Sequence, residues 1–401
     1  MWLVCLAYDL LNGVVNPQLS DLWVTEEGSG GCRGESRIMV EVESERVGVQ
    51  IAPWSPAADI LVAARRLSRV VDLVWIQDQM LARNVYTLLA GVAATGEVGV
   101  GTNVTFPFGR NPIEIAASMA TLPELVGPTH PVVMGMGTGG ALVSSLFVRS
   151  QPISVVRESI ALVRRLWAAE AVPLDEYPSL GAVLGFRPGA VARLTFPVAR
   201  PIPILLAGIG PRILELAGEV ADGIISASNF PTHSYAAFKS GKFDALAGLD
   251  HVRAGRSGQE RAFRMVFGLN CCVSRDRLAA KAFARRQLAL VAGNPALWPG
   301  LEAVGLDVES ARDVKAAFDR GEGIEGGVAR MSDSLLDGLI VSGDPDECVV
   351  RLDELRRYAR AVGYTEFYLG APLGPDLTEA ASIIADVLVP QLWPSRLAVP
   401  A

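Results

Sequence analysis

A carboxylate flanked by two carboxamides closes the second apolar run of the chain, where LVWI (73–76) gives way to Gln77-Asp78-Gln79. An aspartate there either caps the helix predicted from Met80 or accepts a hydrogen bond from a ligand's ring N–H or hydroxyl. Further on, Gly135-Met-Gly-Thr-Gly-Gly140 has GxGxxG spacing. A dinucleotide fold wants that motif after its first strand, with an acidic residue about 20 positions beyond. Here it follows the fourth predicted strand, and nothing acidic comes before Glu158. The glycines read instead as a loop that lets a flat cofactor approach the backbone. A third group, Gly208 to Arg212, breaks the apolar run Ile202–Ala207 and opens a helix. Backbone N–H groups at such a start, with the Arg212 guanidinium, suit an anionic cofactor. Arg110 and Glu114 bracket another helix start and read as a surface or inter-helix ion pair. The histidines, His130, His233 and His251, follow no HExxH-like spacing, so a zinc site has little to build on and no metal is expected.

These groups need elements to hold them. Strands are predicted at 46–52, 73–76, 98–105, 130–136, 202–207, from 224, 263–273 and 365–369. Helices are predicted at 56–70, 80–94, 111–125, 153–169, after Pro211, and at 276–291, 345–361 and up to about 388. Residues 171–200 read as an excursion or short hairpin, and 293–340 as an irregular, glycine-rich insertion. Eight strands that nearly all lead into helices predict a TIM (β/α)8 barrel with insertions over 45–392, with a doubly wound sheet as the alternative. Residues 1–44 are expected outside the fold, and 393–401 as a tail. In a barrel the carboxyl ends of the strands carry the site. That selects Trp54, Asp78, Gln79, Asn103, Thr105, Thr138, Gly139, Gly208 to Arg212, Ser226, Ser228 and Gly370.

Composition narrows the function classes. Half of the 401 residues are hydrophobic and a fifth are charged, which supports a large core. A net charge of −7 without a basic stripe argues against nucleic acid. The chain has no run of 18 apolar residues, so no membrane span is expected. Five scattered cysteines without a CxxC read as reduced thiols of a cytoplasmic protein.

Several segments together resemble the luciferase-like monooxygenase superfamily: VDLVWIQDQ (71–79), GVGTNVTFPFGRNPIEIAASMATLPEL (99–125), VVMGMGTGG (132–140), PIPILLAGIGPRILELAGEVADGII (201–225), SGDPDECVVRLDEL (342–355) and APLGPD (371–376). They look closest to its methylenetetrahydromethanopterin-reductase-like branch, which uses coenzyme F420. The resemblance implies a luciferase-like TIM barrel. It also implies F420, or FMN as in other branches, held noncovalently at the carboxyl face, and a cis peptide at Asn103–Val104 behind the ring. By matching motifs, Asp78, Asn103, Val104, Thr138, Gly139, Ile209, Gly210 and Arg212 fall on cofactor-binding positions. Two departures stand out. Dehydrogenases of this family follow the strand-two aspartate with a catalytic histidine, where this chain has Gln79. The glucose 6-phosphate subgroup also has a glutamate where this chain has Gly140. An amide and a glycine do not shuttle protons. Gln79 is therefore expected to orient a substrate carbonyl or the cofactor ring. The resemblance points to an F420-dependent oxidoreductase of a small organic substrate, with a homodimer expected by analogy. The alternatives are an FMN-dependent monooxygenase served by a separate reductase, and a non-catalytic barrel acting as a binding protein.

Overall fold

The computed structural model describes residues 45–398, apart from 141–142, 144–145 and 260–261. The predicted extension 1–44 lies outside the described residues. The strands in chain order are β1 (Arg46–Ile51), β2 (Leu73–Ile76), β3 (Gly99–Thr105), β4 (Val132–Met136), β5 (Val172–Pro173), β6 (Val191–Ala192), β7 (Ile204–Ala207), β8 (Gly223–Ala227), β9 (Arg264–Val273), β10 (Val341–Gly343) and β11 (Glu366–Leu373). Eight of them pair in parallel around a ring, β1-β2-β3-β4-β7-β8-β9-β11, which closes from β11 back to β1. This is the predicted barrel.

The strands read as near-continuous apolar runs because both of their faces are covered. Leu73, Trp75, Val133, Leu205, Ile225, Val266 and Tyr368 fill the barrel interior. Val74, Ile76, Met134 and Leu206 belong instead to the layer beneath the helices. The helix after β4, Pro152–Trp167, buries Val156, Ile160 and Val163, the stripe that its sequence spacing predicts.

Four differences from the sequence reading have physical causes. The helix after β2 starts at Val85, because the Asn84 side chain accepts from the N–H groups of Tyr86 and Thr87; Asp78 caps nothing. Residues 293–340 are not irregular but form four short helices, Trp298–Ala303, Val308–Asp319, Gly323–Val328 and Asp333–Leu339. These bury Leu301, Val314 and Leu335 in a second apolar cluster. They lead into β10, which pairs with the carboxyl end of β9. Residues 171–200 hold the antiparallel pair β5–β6 around the helix Pro178–Leu184, an elaborated form of the hairpin. Finally, residues 393–398 are no loose tail. Trp393 is buried and donates to Glu45 Oε2 at 2.7 Å, and Arg396 clamps Asp72 at 2.6 and 2.7 Å.

Candidate active site at the carboxyl mouth of the barrel

Most of the residues singled out above meet in one cleft at the carboxyl ends of the strands. Asp78, Gln79, Asn103, Val104, Thr138, Gly139 and Ile209 line it, together with Gln50, Gln77, Asn229, Phe230, Asn270 and Tyr368. The cleft opens to solvent at its mouth. Gly210 and Arg212 are not lining residues. Gly210 stands just beyond Ile209 as the N-cap of the helix Pro211–Val220, and Arg212 lies in that helix's first turn.

Half of the mouth is backbone. On β3 the Asn103–Val104 peptide is cis, as the resemblance implied, and the β3–β4 register shifts between Thr102 and Thr105. After β4, Gly139 adopts φ +76°, and a Cβ there would come within 2.8 Å of Val143. After β7, a Cβ on Gly208 would come within 2.3 Å of Ile213. At both positions only glycine keeps the loop this close to its neighbours.

Asp78 is the buried charge of the site, its side chain fully shielded. Its two oxygens accept from Arg110 Nη2 at 2.7 Å and Nε at 3.1 Å, and Oδ2 also accepts from Thr105 Oγ1 at 2.9 Å. Thr105 spends its hydrogen there, so the Tyr86 hydroxyl, 2.9 Å away, donates to it. Burial, and then the Asp78 charge, push the Tyr86 phenol up. The hydrogen bond with Asp78 holds the Arg110 guanidinium above its usual range. The Arg110–Glu114 pair expected from sequence gives way to this contact, and Asp78 is a bound anion rather than a cap.

The other half of the mouth is lined by carboxamides. Gln50 on β1, Gln77 and Gln79 after β2, and Asn270 on β9 join through the Ala371 peptide of β11. Trp54 does not line the cleft; its Nε1 donates to Gln79 Oε1 at 2.6 Å. The Asn103 side chain sits within hydrogen-bonding reach of the Tyr368 hydroxyl, while Asn229 Oδ1 and Asn270 Oδ1 are buried without a hydrogen-bond partner. Asn270 cannot turn to relieve this, because its Nδ2 donates to Ala371 O at 2.9 Å. Asp78 and Tyr368 are the titratable groups among the lining residues, and burial pushes the Tyr368 phenol up to about 12. Sequence reasoning missed Gln50, Gln77, Asn270 and Tyr368 although all four sit in or just after predicted strands. Counting one pleat further from each strand end would have found Gln50 and Gln77.

A family-level comparison decides what this barrel is. The model of the luciferase-like monooxygenase family matches residues 42–362. The chain belongs to that family. It is also 31% identical over 349 residues to the 5,10-methylenetetrahydromethanopterin reductase of Methanolobus tindarius, covering 85% of this chain and 99% of the relative. The reductase of the same name from Archaeoglobus fulgidus is 31% identical over 80% of this chain and 91% of its own. Among solved structures, the coenzyme F420-dependent tetrahydromethanopterin reductase of Methanopyrus kandleri superposes with a TM-score of 0.68 at 19% identity. That match covers 87% of this chain and 99% of that one, and it speaks for the fold. This luciferase-like barrel is thus similar, along nearly their whole length, to enzymes. Among the described residues no helix is long and apolar enough to cross a membrane. No group of three His, Cys, Asp or Glu side chains is placed to hold a metal ion among them.

Proposed function

We propose that this luciferase-like protein is a coenzyme F420-dependent oxidoreductase that moves a hydride between the deazaflavin and a small organic substrate. The observation that carries the reading is the backbone part of the mouth: the register break of β3 between Thr102 and Thr105 shares one cleft with the glycine loops after β4 and β7. The likeness to the methylenetetrahydromethanopterin reductases adds to it. Residues of the cleft also fit such a group, since Asn229 Oδ1 and Asn270 Oδ1 are buried acceptors that no protein atom uses. Asn103, Val104, Thr138, Gly139 and Ile209 would hold the ring and its side chain. The helix start at Gly210, with Arg212 in its first turn, would take the phosphate through backbone N–H groups. Asp78, its shielded carboxylate held by Arg110 and Thr105, would brace the wall beneath the cofactor and not bond to it directly.

When bound, the deazaflavin supplies the hydride chemistry itself. The chain's own residues position the reactants. Gln79 takes the catalytic place. A carboxamide neither gains nor loses a proton there, so it acts by hydrogen bonding and orientation. With Gln79 and Gly140 where an imidazole and a carboxylate serve alcohol oxidation, the chain is suited to reducing an acceptor. Its buried, unpaired Cys271, Cys272 and Cys348 suit a reducing, cytoplasmic setting.

The test is anaerobic turnover with chemically reduced F420 against a panel of enones and imines. Reoxidation of the deazaflavin that depends on one of these acceptors is expected. Turnover that instead needs reduced FMN and dioxygen would replace this reading with the monooxygenase one.

A further inference from the structure

The carboxamide half of the mouth has a fixed direction. The Ala371 N–H, which can only donate, reaches Gln50 Oε1 at 3.3 Å, and Gln50 Nε2 donates to the Asn103 carbonyl at 3.2 Å. Two backbone groups therefore set the orientation of Gln50. Its oxygen also accepts from Gln77 Nε2 at 3.1 Å, so Gln77 must turn its own oxygen the other way, where Gln79 Nε2 donates at 2.9 Å. Gln79 Oε1 in turn accepts from the Trp54 indole, another group that can only donate. Both ends impose the same polarity. No member can flip without setting two acceptors or two donors against each other.

The count of hydrogens then matters. Each carboxamide nitrogen carries two, and Gln79 spends one on Gln77. Gln79 lines the cleft beside Asp78, at the end of the strand next to the Asn103–Val104 bulge. We propose that Gln77 and Gln50 are positioning residues that hold Gln79, through a one-way carboxamide ladder from the Ala371 N–H to the Trp54 indole, as a fixed hydrogen-bond donor toward the cofactor ring. The proposal rests on the reading that F420 occupies the cleft. Its physical content is preorganisation: a glutamine already locked in its binding rotamer loses little further freedom when the ligand arrives.

A double-mutant cycle in F420 affinity tests the ladder, read by absorbance titration of the oxidised cofactor. Gln77→Met and Gln79→Met each weaken binding about tenfold, the size of one hydrogen bond. The double variant binds no worse than Gln79→Met, because Gln77 acts only through Gln79. Gln77→Glu keeps the length but faces Gln50 Oε1 with a second acceptor, so it does not rescue. Costs that add to about a hundredfold in the double variant would overturn the ladder, as would rescue by Gln77→Glu. A second readout needs no cofactor. The Trp54 indole N–H resonance, assigned with Trp54→Phe, shifts in Gln77→Met because Gln79 loosens between them. An unmoved resonance contradicts the ladder. Failure of the unaltered protein to bind F420 would instead overturn the cofactor reading and the donor's role toward the ring, while the indole resonance still decides the ladder.

Discussion

Asp78 shows how much one buried contact decides. Its carboxylate is fully shielded and held by two nitrogens of Arg110 and the Thr105 hydroxyl. Removing one partner of such a pair leaves a charge buried without compensation, which costs about 3 kcal/mol or more. Arg110→Met is therefore expected to lower the urea unfolding free energy by about that amount. A loss under about 1 kcal/mol would mean that the pair behaves like an exposed one. From sequence, Asp78 reads equally as a helix cap, because Glu114 stands four positions from Arg110 and competes for it. Nothing in local spacing reveals that Arg110, 32 positions away, reaches back to β2. The same limit hid the carboxamide ladder, whose members come from β11, β1 and the turns after β1 and β2.

At the scale of elements, some helix starts were legible and others were not. Asn111 caps Pro112–Leu125 and Asp276 caps Arg277–Ala292, both at the positions their sequence patterns predict. Three of the helices within 293–340 escaped because they are only 6 or 7 residues long and glycines 300, 323, 326, 327 and 338 interrupt their apolar period. The caps Asp307 and Ser332 in this stretch were there to be read. The helix Pro211–Val220 carries a prediction of its own. Its N-cap is Gly210, with φ −80° and ψ 151°, a conformation that suits an aspartate cap. Gly210→Asp should thus leave the fold intact while setting a carboxylate where the cofactor's phosphate is proposed to lie. Titration should show F420 binding lost and an unchanged circular dichroism spectrum. Retained binding would remove the phosphate from that helix start.

At the scale of the whole molecule, all eight barrel strands and the order of their helices were readable, because parallel strands covered on both faces leave unbroken apolar runs. Closure of the ring from β11 to β1 was not readable, since it pairs residues about as far apart as the chain allows. Global stability carries a pH signature through His233, which is fully buried, with Nδ1 beside Thr232 Oγ1 at 2.9 Å and Nε2 unpartnered. Burial lowers its pKa to about 4. Above pH ~6.5 the imidazole is neutral in both folded and unfolded chains and costs nothing. Below that the unfolded chain takes up a proton and the folded one does not, so stability falls until pH reaches the folded value. The share belonging to His233 is about 3 kcal/mol across that window. Urea midpoints measured at pH 7 and pH 5 should fall less steeply for His233→Gln than for the unaltered protein. Parallel slopes would show that His233 does not report on folding.

The most direct test of the account is a paired titration of the unaltered, cofactor-free protein with F420 and with FMN, followed by absorbance and fluorescence. Saturable F420 binding in the micromolar range or tighter is expected, with FMN weaker by tenfold or more. Micromolar FMN binding without measurable affinity for F420 would contradict it.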